Sequence, residues 1–105
     1  MALKKAKRTT ADFILSITEI LRLRYPDDQC APGIVISDLG AQHLTTSRFY
    51  ASACRYSVHG KTVIYKAQGS SIRAVVKKLA AHVVGTFPRE QRLREIVEDL
   101  AGEVL

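Results

Sequence analysis

Cysteine, histidine and the basic residues are the chemistry-bearing side chains that this 105-residue chain offers in quantity worth testing. Its two cysteines, Cys30 and Cys54, are too few for a disulfide framework or a four-cysteine zinc site, and their wide separation matches no thiol motif. The histidines, His43, His59 and His82, fall on an expected loop, a hairpin tip and a helix surface, none spaced with a cysteine or carboxylate as metal ligands are. The six glycines are dispersed along the chain and build no phosphate cradle. A nucleophile–histidine pair also needs an orienting carboxylate, and residues 39–89 contain no acid. These patterns predict a non-enzymatic protein with no metal and no cofactor.

Charge is the feature that departs from chance. The formal total of +6 hides a partition. Residues 1–8 carry Lys4, Lys5, Lys7 and Arg8, and residues 39–89 carry eight bases against no acid. The two remaining segments are each acidic by three charges. Such asymmetry points to anionic partners. Candidate contacts are Arg55, Lys66, Arg73, Lys77 and Lys78 in the central segment, with Lys4, Lys5, Lys7 and Arg8 in the arm.

The elements that must position these residues follow from periodicity. Residues 1–8 lack apolar side chains to pack and predict a flexible basic arm ahead of a single domain over 9–105. A helix starts at Thr9 or Thr10, favoured by Asp12 in its first turn, and buries Phe13, Ile14, Ile17, Ile20 and Leu21. Pro26 closes it. Residues 27–33 read as a connector, Ile34–Ile36 as a short strand and 37–47 as a loop. A hairpin over 48–68 turns at His59-Gly60. Gly69-Ser70-Ser71 stops the strand and offers a serine cap to a second helix with the stripe Ile72, Val75, Val76, Leu79 and Val83, ending near Gly85. A third helix from Pro88 repeats the spacing at Leu93, Ile96, Val97, Leu100 and Val104, a stripe also suited to a second copy of the chain. The order α-β-β-β-α-α predicts an α+β domain, a three-stranded antiparallel sheet with helices on one face.

A tight His59-Gly60 turn pairs Tyr56 with Val63, Arg55 with Ile64, Cys54 with Tyr65 and Ala53 with Lys66. Alternation then sends Tyr50, Cys54, Tyr56, Val58, Val63, Tyr65 and Ala67 to the core. Ala53, Arg55, Ser57, Thr62, Ile64, Lys66 and Gln68 form the solvated, basic face. The tyrosines suit stacking on unpaired bases, but core packing is the reading that alternation favours.

Strand, Gly69-Ser70-Ser71 and a basic helix, preceded by helix and two strands, resemble double-stranded RNA-binding domains over roughly residues 9–84. The resemblance implies contacts to phosphates and 2′-hydroxyls of A-form RNA, with a basic cluster opening the last helix. Aligning Ser71 with the family serine puts Ile72, Arg73 and Val76 where three lysines are usual, and only Arg73 keeps the charge. His43 stands in the loop between the first two strands without the Gly-Pro-x-His pattern. The likeness therefore concerns topology, and no site residues are carried over.

The expected function is a small binding protein that engages nucleic acid or a nucleic-acid-associated complex through its acid-free centre. The alternative is a regulator of the phage or mobile-element kind. It would resemble anti-CRISPR inhibitors in size and simplicity and dock on an acidic surface of a host protein complex. A subunit of a larger particle is a third reading. No apolar run reaches the ~20 residues that span a bilayer, and acids interrupt any signal-like segment. The expected setting is cytoplasmic, without a membrane partner.

Overall fold

In a computed structural model, residues 8–40, 48–86 and 94–104 are described, and they form α1 (Thr10–Arg24), β1 (Cys30–Asp38), β2 (Phe49–Ser57), β3 (Gly60–Gly69), α2 (Ile72–Thr86) and α3 (Arg94–Val104). The strands make one antiparallel sheet in the order β1-β2-β3. The α+β order α-β-β-β-α-α is the one expected, with the helices on one side.

Local chemistry explains where the helices begin. Thr9 and Asp12 form a reciprocal capping box: the Asp12 N–H donates to Thr9 Oγ1 (3.1 Å) and the Thr9 N–H to Asp12 Oδ2 (2.9 Å). These bonds hold the Asp12 carboxyl below its ordinary range, the Thr9 backbone N–H first and the Thr9 hydroxyl next. The α1 helix ends one residue before Tyr25, and Pro26 prevents its continuation. Ser71 caps α2, accepting from the Ala74 N–H at 3.1 Å. The step from β3 to α2 is tight: a Cβ on Gly69 would lie 3.3 Å from the Val75 backbone nitrogen. At its other end α2 continues through Gly85 to Thr86, one residue beyond the expected stop.

Phe13, Ile17, Ile20 and Leu21 of α1 meet Val75, Val76, Leu79, Ala80, Val83 and Val84 of α2, with Val97 and Leu100 of α3 closing the core. From the sheet, Ala51 and Ala53 are fully buried in this cluster, and Ile34, Ile36, Ile64, Tyr65 and Ala67 pack against it. Ile96 and Val104 also pack inward. The described part of the α3 stripe is thus spent on the chain's own core, and Leu93 lies outside the described residues.

The strands differ from expectation in length and phase. The β1 strand runs from Cys30 to Asp38, so it absorbs part of the expected connector. The hairpin turns at Val58-His59, with Ser57 opposite Gly60, and Gly60 takes φ +104°, a conformation L side chains rarely adopt. Near the turn, Cys54 pairs with Val63, Arg55 with Thr62 and Tyr56 with Lys61. The register then shifts, and Ala53 pairs with Tyr65 and Ser52 with Lys66. Ile64 is the extra residue of this bulge.

A one-residue change of phase exchanges the two faces of a strand. In β2, Ala51 and Ala53 face the helices, and Tyr50, Ser52, Cys54 and Tyr56 face away. In β3 beyond the bulge, Tyr65 and Ala67 point to the core as expected, and Lys66 and Gln68 point outward. Val58 and Val63, expected in the core, are exposed. Cys54 is buried as expected, but on the face away from the helices, beside Ser52 (Oγ···Sγ 3.6 Å).

The face assignment has a direct mutational test. Ala53→Leu overpacks the space beneath the helices and should cost about 1–3 kcal/mol in urea unfolding. Val63→Thr, on the exposed face, should change stability by less than about 0.5 kcal/mol. The reverse ranking would place the expected faces, not the observed ones, against the helices.

Candidate nucleic-acid interface

With the helices on one side, the other side of the sheet carries no described element. Reading across β1, β2 and β3, its rows are Ser37–Tyr50–Gln68, Val35–Ser52–Lys66, Gly33–Cys54–Val63 and Cys30–Tyr56–Lys61. The central column is therefore Tyr-Ser-Cys-Tyr. Ser52 is only 5% exposed, although no described element lies over this side of the sheet. Val35 (42% exposed) and Val63 (40% exposed) rise on either side. Lys61 and Lys66 stand on the β3 side, both exposed, and no Asp or Glu occupies these rows.

The expected basic contacts of the central segment each have a definite place. Lys66 stands on the open face. Lys78 reaches the β3 edge, where its Nζ donates to the Gln68 carbonyl at 2.6 Å, so Lys66 and Lys78 flank the same short piece of strand. Arg73 turns toward α1, its guanidinium carbon 5.4 Å from the centre of the Phe13 ring. Lys77, one turn further along α2, is exposed on that same side.

Two of the expected contacts are held inside the molecule. Arg55, predicted on the open face, lies on the helix side. It grips Asp28 through two bonds (2.6 and 3.1 Å) and stacks on Tyr25, its Cζ 3.7 Å from the ring centre. The Asp28 side chain is only 6% exposed, so Arg55 serves as its counter-ion. Arg8 likewise meets Asp99 and Glu103 of α3 through its guanidinium, and its backbone N–H donates to Glu103 Oε2 at 3.2 Å. Lys4, Lys5 and Lys7 lie outside the described residues, as does His43.

Arg48 follows the same rule at the opposite end of the sheet. It bonds Asp38 through both Nε (3.0 Å) and Nη2 (2.9 Å). This bidentate pair, with the Gly40 N–H on Oδ1, holds the Asp38 carboxyl at about 2. Two bases of the acid-free stretch are thereby neutralised by Asp28 and Asp38, which precede it in the chain. Of the described bases in the acid-free stretch, Lys61, Lys66, Arg73, Lys77 and Lys78 have no ion pair to a described residue.

The helix side has the opposite character. An open groove of about 500 Å³ between α1 and α3 is lined by Leu15, Ile96, Arg8, Glu19, Glu95 and Asp99 among others. Its carboxylates outnumber its single base. The described residues hold no cluster of three or more His, Cys, Asp or Glu able to bind a metal, and no described helix is long and apolar enough to cross a membrane.

No family model, curated protein or solved structure matches the chain. The open face must therefore be read from its own chemistry. Tyr50 and Tyr56 are the residues that the sequence misplaced. One available signal was the alternation of β1, in which Ile34 and Ile36 share a face and must sit opposite Ala53 and Ala51.

The Asp38–Arg48 pair sets an acid limit. A carboxyl that titrates near 2 when folded and near its ordinary ~4 when unfolded contributes stability fully above about pH 4 and loses it as pH falls toward 2. Melting temperatures of wild type and Asp38→Asn should differ most above pH 4 and converge between pH 4 and 2. A constant difference over that window would show that the pair contributes nothing through ionisation.

Proposed function

We propose that this chain is a non-enzymatic nucleic-acid-binding protein that contacts its ligand through the uncovered face of its sheet and the adjoining edge of β3. The observation that carries this reading is an acid-free face, covered by no described element, that joins Lys61 and Lys66 to exposed Val35 and Val63 and half-buried Tyr50 and Tyr56. A phosphate backbone requires positive charge without competing carboxylates, and base surfaces require apolar or aromatic contact. Lys78 extends the positive charge around the β3 edge.

The carboxylates of the α1–α3 groove are largely paired, Glu19 with Arg22 and Asp99 with Arg8, so the orientation rests on the lysines of the sheet side.

The test is a fluorescence titration of labelled nucleic acid across salt concentration. With Lys61, Lys66 and Lys78 each neutralising a phosphate, log affinity should fall against log salt with a slope of about −2 to −3. Lys66→Ala should make that slope shallower by close to one. Arg55→Ala should lower the melting temperature, by leaving Asp28 without its partner, and leave the slope unchanged. Absence of binding at low salt, or binding indifferent to salt, would overturn the reading. A protein captured from nuclease-treated lysate, with no affinity for nucleic acid, would favour the acidic-partner regulator.

A further inference from the structure

We infer that the ligand of the open face is an unpaired strand whose bases stack on Tyr50 and Tyr56 while its phosphates follow β3. This rests on the nucleic-acid reading above and adds the strandedness and direction of the ligand. The geometry that supports it is the register of the two tyrosines against the lysines of β3: Tyr56 stands opposite Lys61, and Tyr50 lies one row beyond the Ser52–Lys66 pair. Tyr50 and Tyr56 lie six residues apart on one strand, roughly 20 Å along the sheet. Between them Ser52 and Cys54 are buried, so the contacts that β2 offers a ligand are the two half-buried rings.

The two strands flanking β2 differ. On the β1 side stand Ser37, Val35, Gly33 and Cys30, all uncharged. On the β3 side stand Gln68, Lys66, Val63 and Lys61. Neighbouring strands are about 4.8 Å apart, so β1 and β3 are separated by roughly 10 Å. A single strand lying along β2 is offered a π-face at Tyr50 and at Tyr56, with Val35 and Val63 exposed in the rows between them. The lysines place the phosphates along β3, with Lys78 at the strand's outer edge beside Gln68.

A duplex cannot use this surface in the same way. Its bases are stacked on one another inside the helix, so Tyr50 and Tyr56 would meet sugar and phosphate instead of base faces. Val35 and Val63 would then be set against a charged backbone. Sheet platforms that stack unpaired bases on aromatic residues are an established solution to sequence-tolerant binding. This face contains the required parts in β2 and β3.

The experiment uses the full chain with oligothymidylate and oligouridylate of about twelve nucleotides, and a duplex of equal length. The protein has four tyrosines and no tryptophan, so its intrinsic emission reports on tyrosine directly. Either single strand should quench that emission and bind tighter than the duplex. The two arms show whether DNA or RNA is preferred. Tyr50→Ala and Tyr56→Ala should each weaken single-strand binding between about 5-fold and about 150-fold, with duplex binding little changed. Tyr50→Phe and Tyr56→Phe should restore most of the affinity, because the ring and not the hydroxyl provides the platform.

Val35→Glu gives an independent arm at an exposed position whose replacement spares the fold. It should weaken the single-strand complex through repulsion of the passing strand. Equal or tighter binding of duplex, together with alanine variants that retain wild-type affinity, would overturn the stacked-strand inference. Salt-dependent binding in that case would leave the broader nucleic-acid reading standing. Loss of all binding by the wild-type chain would remove both.

Discussion

Ile64 decides which side of β2 the helices see. By adding one residue to β3 between Val63 and Tyr65, it lets Tyr65 and Ala67 turn toward α2 while Val63 turns away. Opposite them, Ala51 and Ala53 come to lie beneath the helices. Two alanines at the middle of the sheet are fully buried in one cluster with Val75, Val76 and Leu79 of α2, and their small size suits a close-packed interior. Were the phase of β2 reversed, Tyr50 and Tyr56 would occupy that space and the helices would have to retreat. Core packing and the aromatic outer face are thus two consequences of one bulge.

The same constraint explains Arg55. Its position in β2 is of the phase that faces the helices, yet it lies toward the hairpin end, where Thr62 opposite it is exposed. The charge is accommodated by local partners: Tyr25 at the end of α1 supplies a ring, and Asp28 supplies a carboxylate. This arrangement ties α1 and the segment after Pro26 to the middle strand. A residue that looks like a surface contact is a strut between layers.

Legibility in the sequence differed by element for physical reasons. Helical stripes such as Ile17–Ile20–Leu21 and Val75–Val76–Leu79–Val83 repeat at 3.6 residues, and a one-residue error in a boundary leaves the buried face unchanged. The Thr9–Asp12 and Ser71 caps are local chemistry and were equally plain. Strand faces repeat every two residues, so one unrecognised bulge moves every side chain of β2 to the other side. In FYASACRYS both alternations contain apolar and small residues, and the arginine weighed against the correct one. Tyr50 and Tyr56 were therefore assigned to the core, and Arg55 to the surface.

Charge shows a parallel loss of information between chain and fold. A stretch without acids in sequence becomes a basic surface only if folding brings no acids to it. The hairpin places Arg48 beside Asp38 across a β1–β2 pair, and Arg55 beside Asp28 of the turn before β1. Arg73 and Lys77 stay on the helix layer. What survives at the sheet is smaller than the linear count suggested, and it sits beside aromatic rings. Five scattered cations would give salt-sensitive attraction alone. Lysines along β3, with the two rings of β2 beside them, also give a direction along which a strand can lie. That added geometry follows from the register of β2 against β3, so the position of one bulge residue fixes both what is buried and what is offered to a ligand.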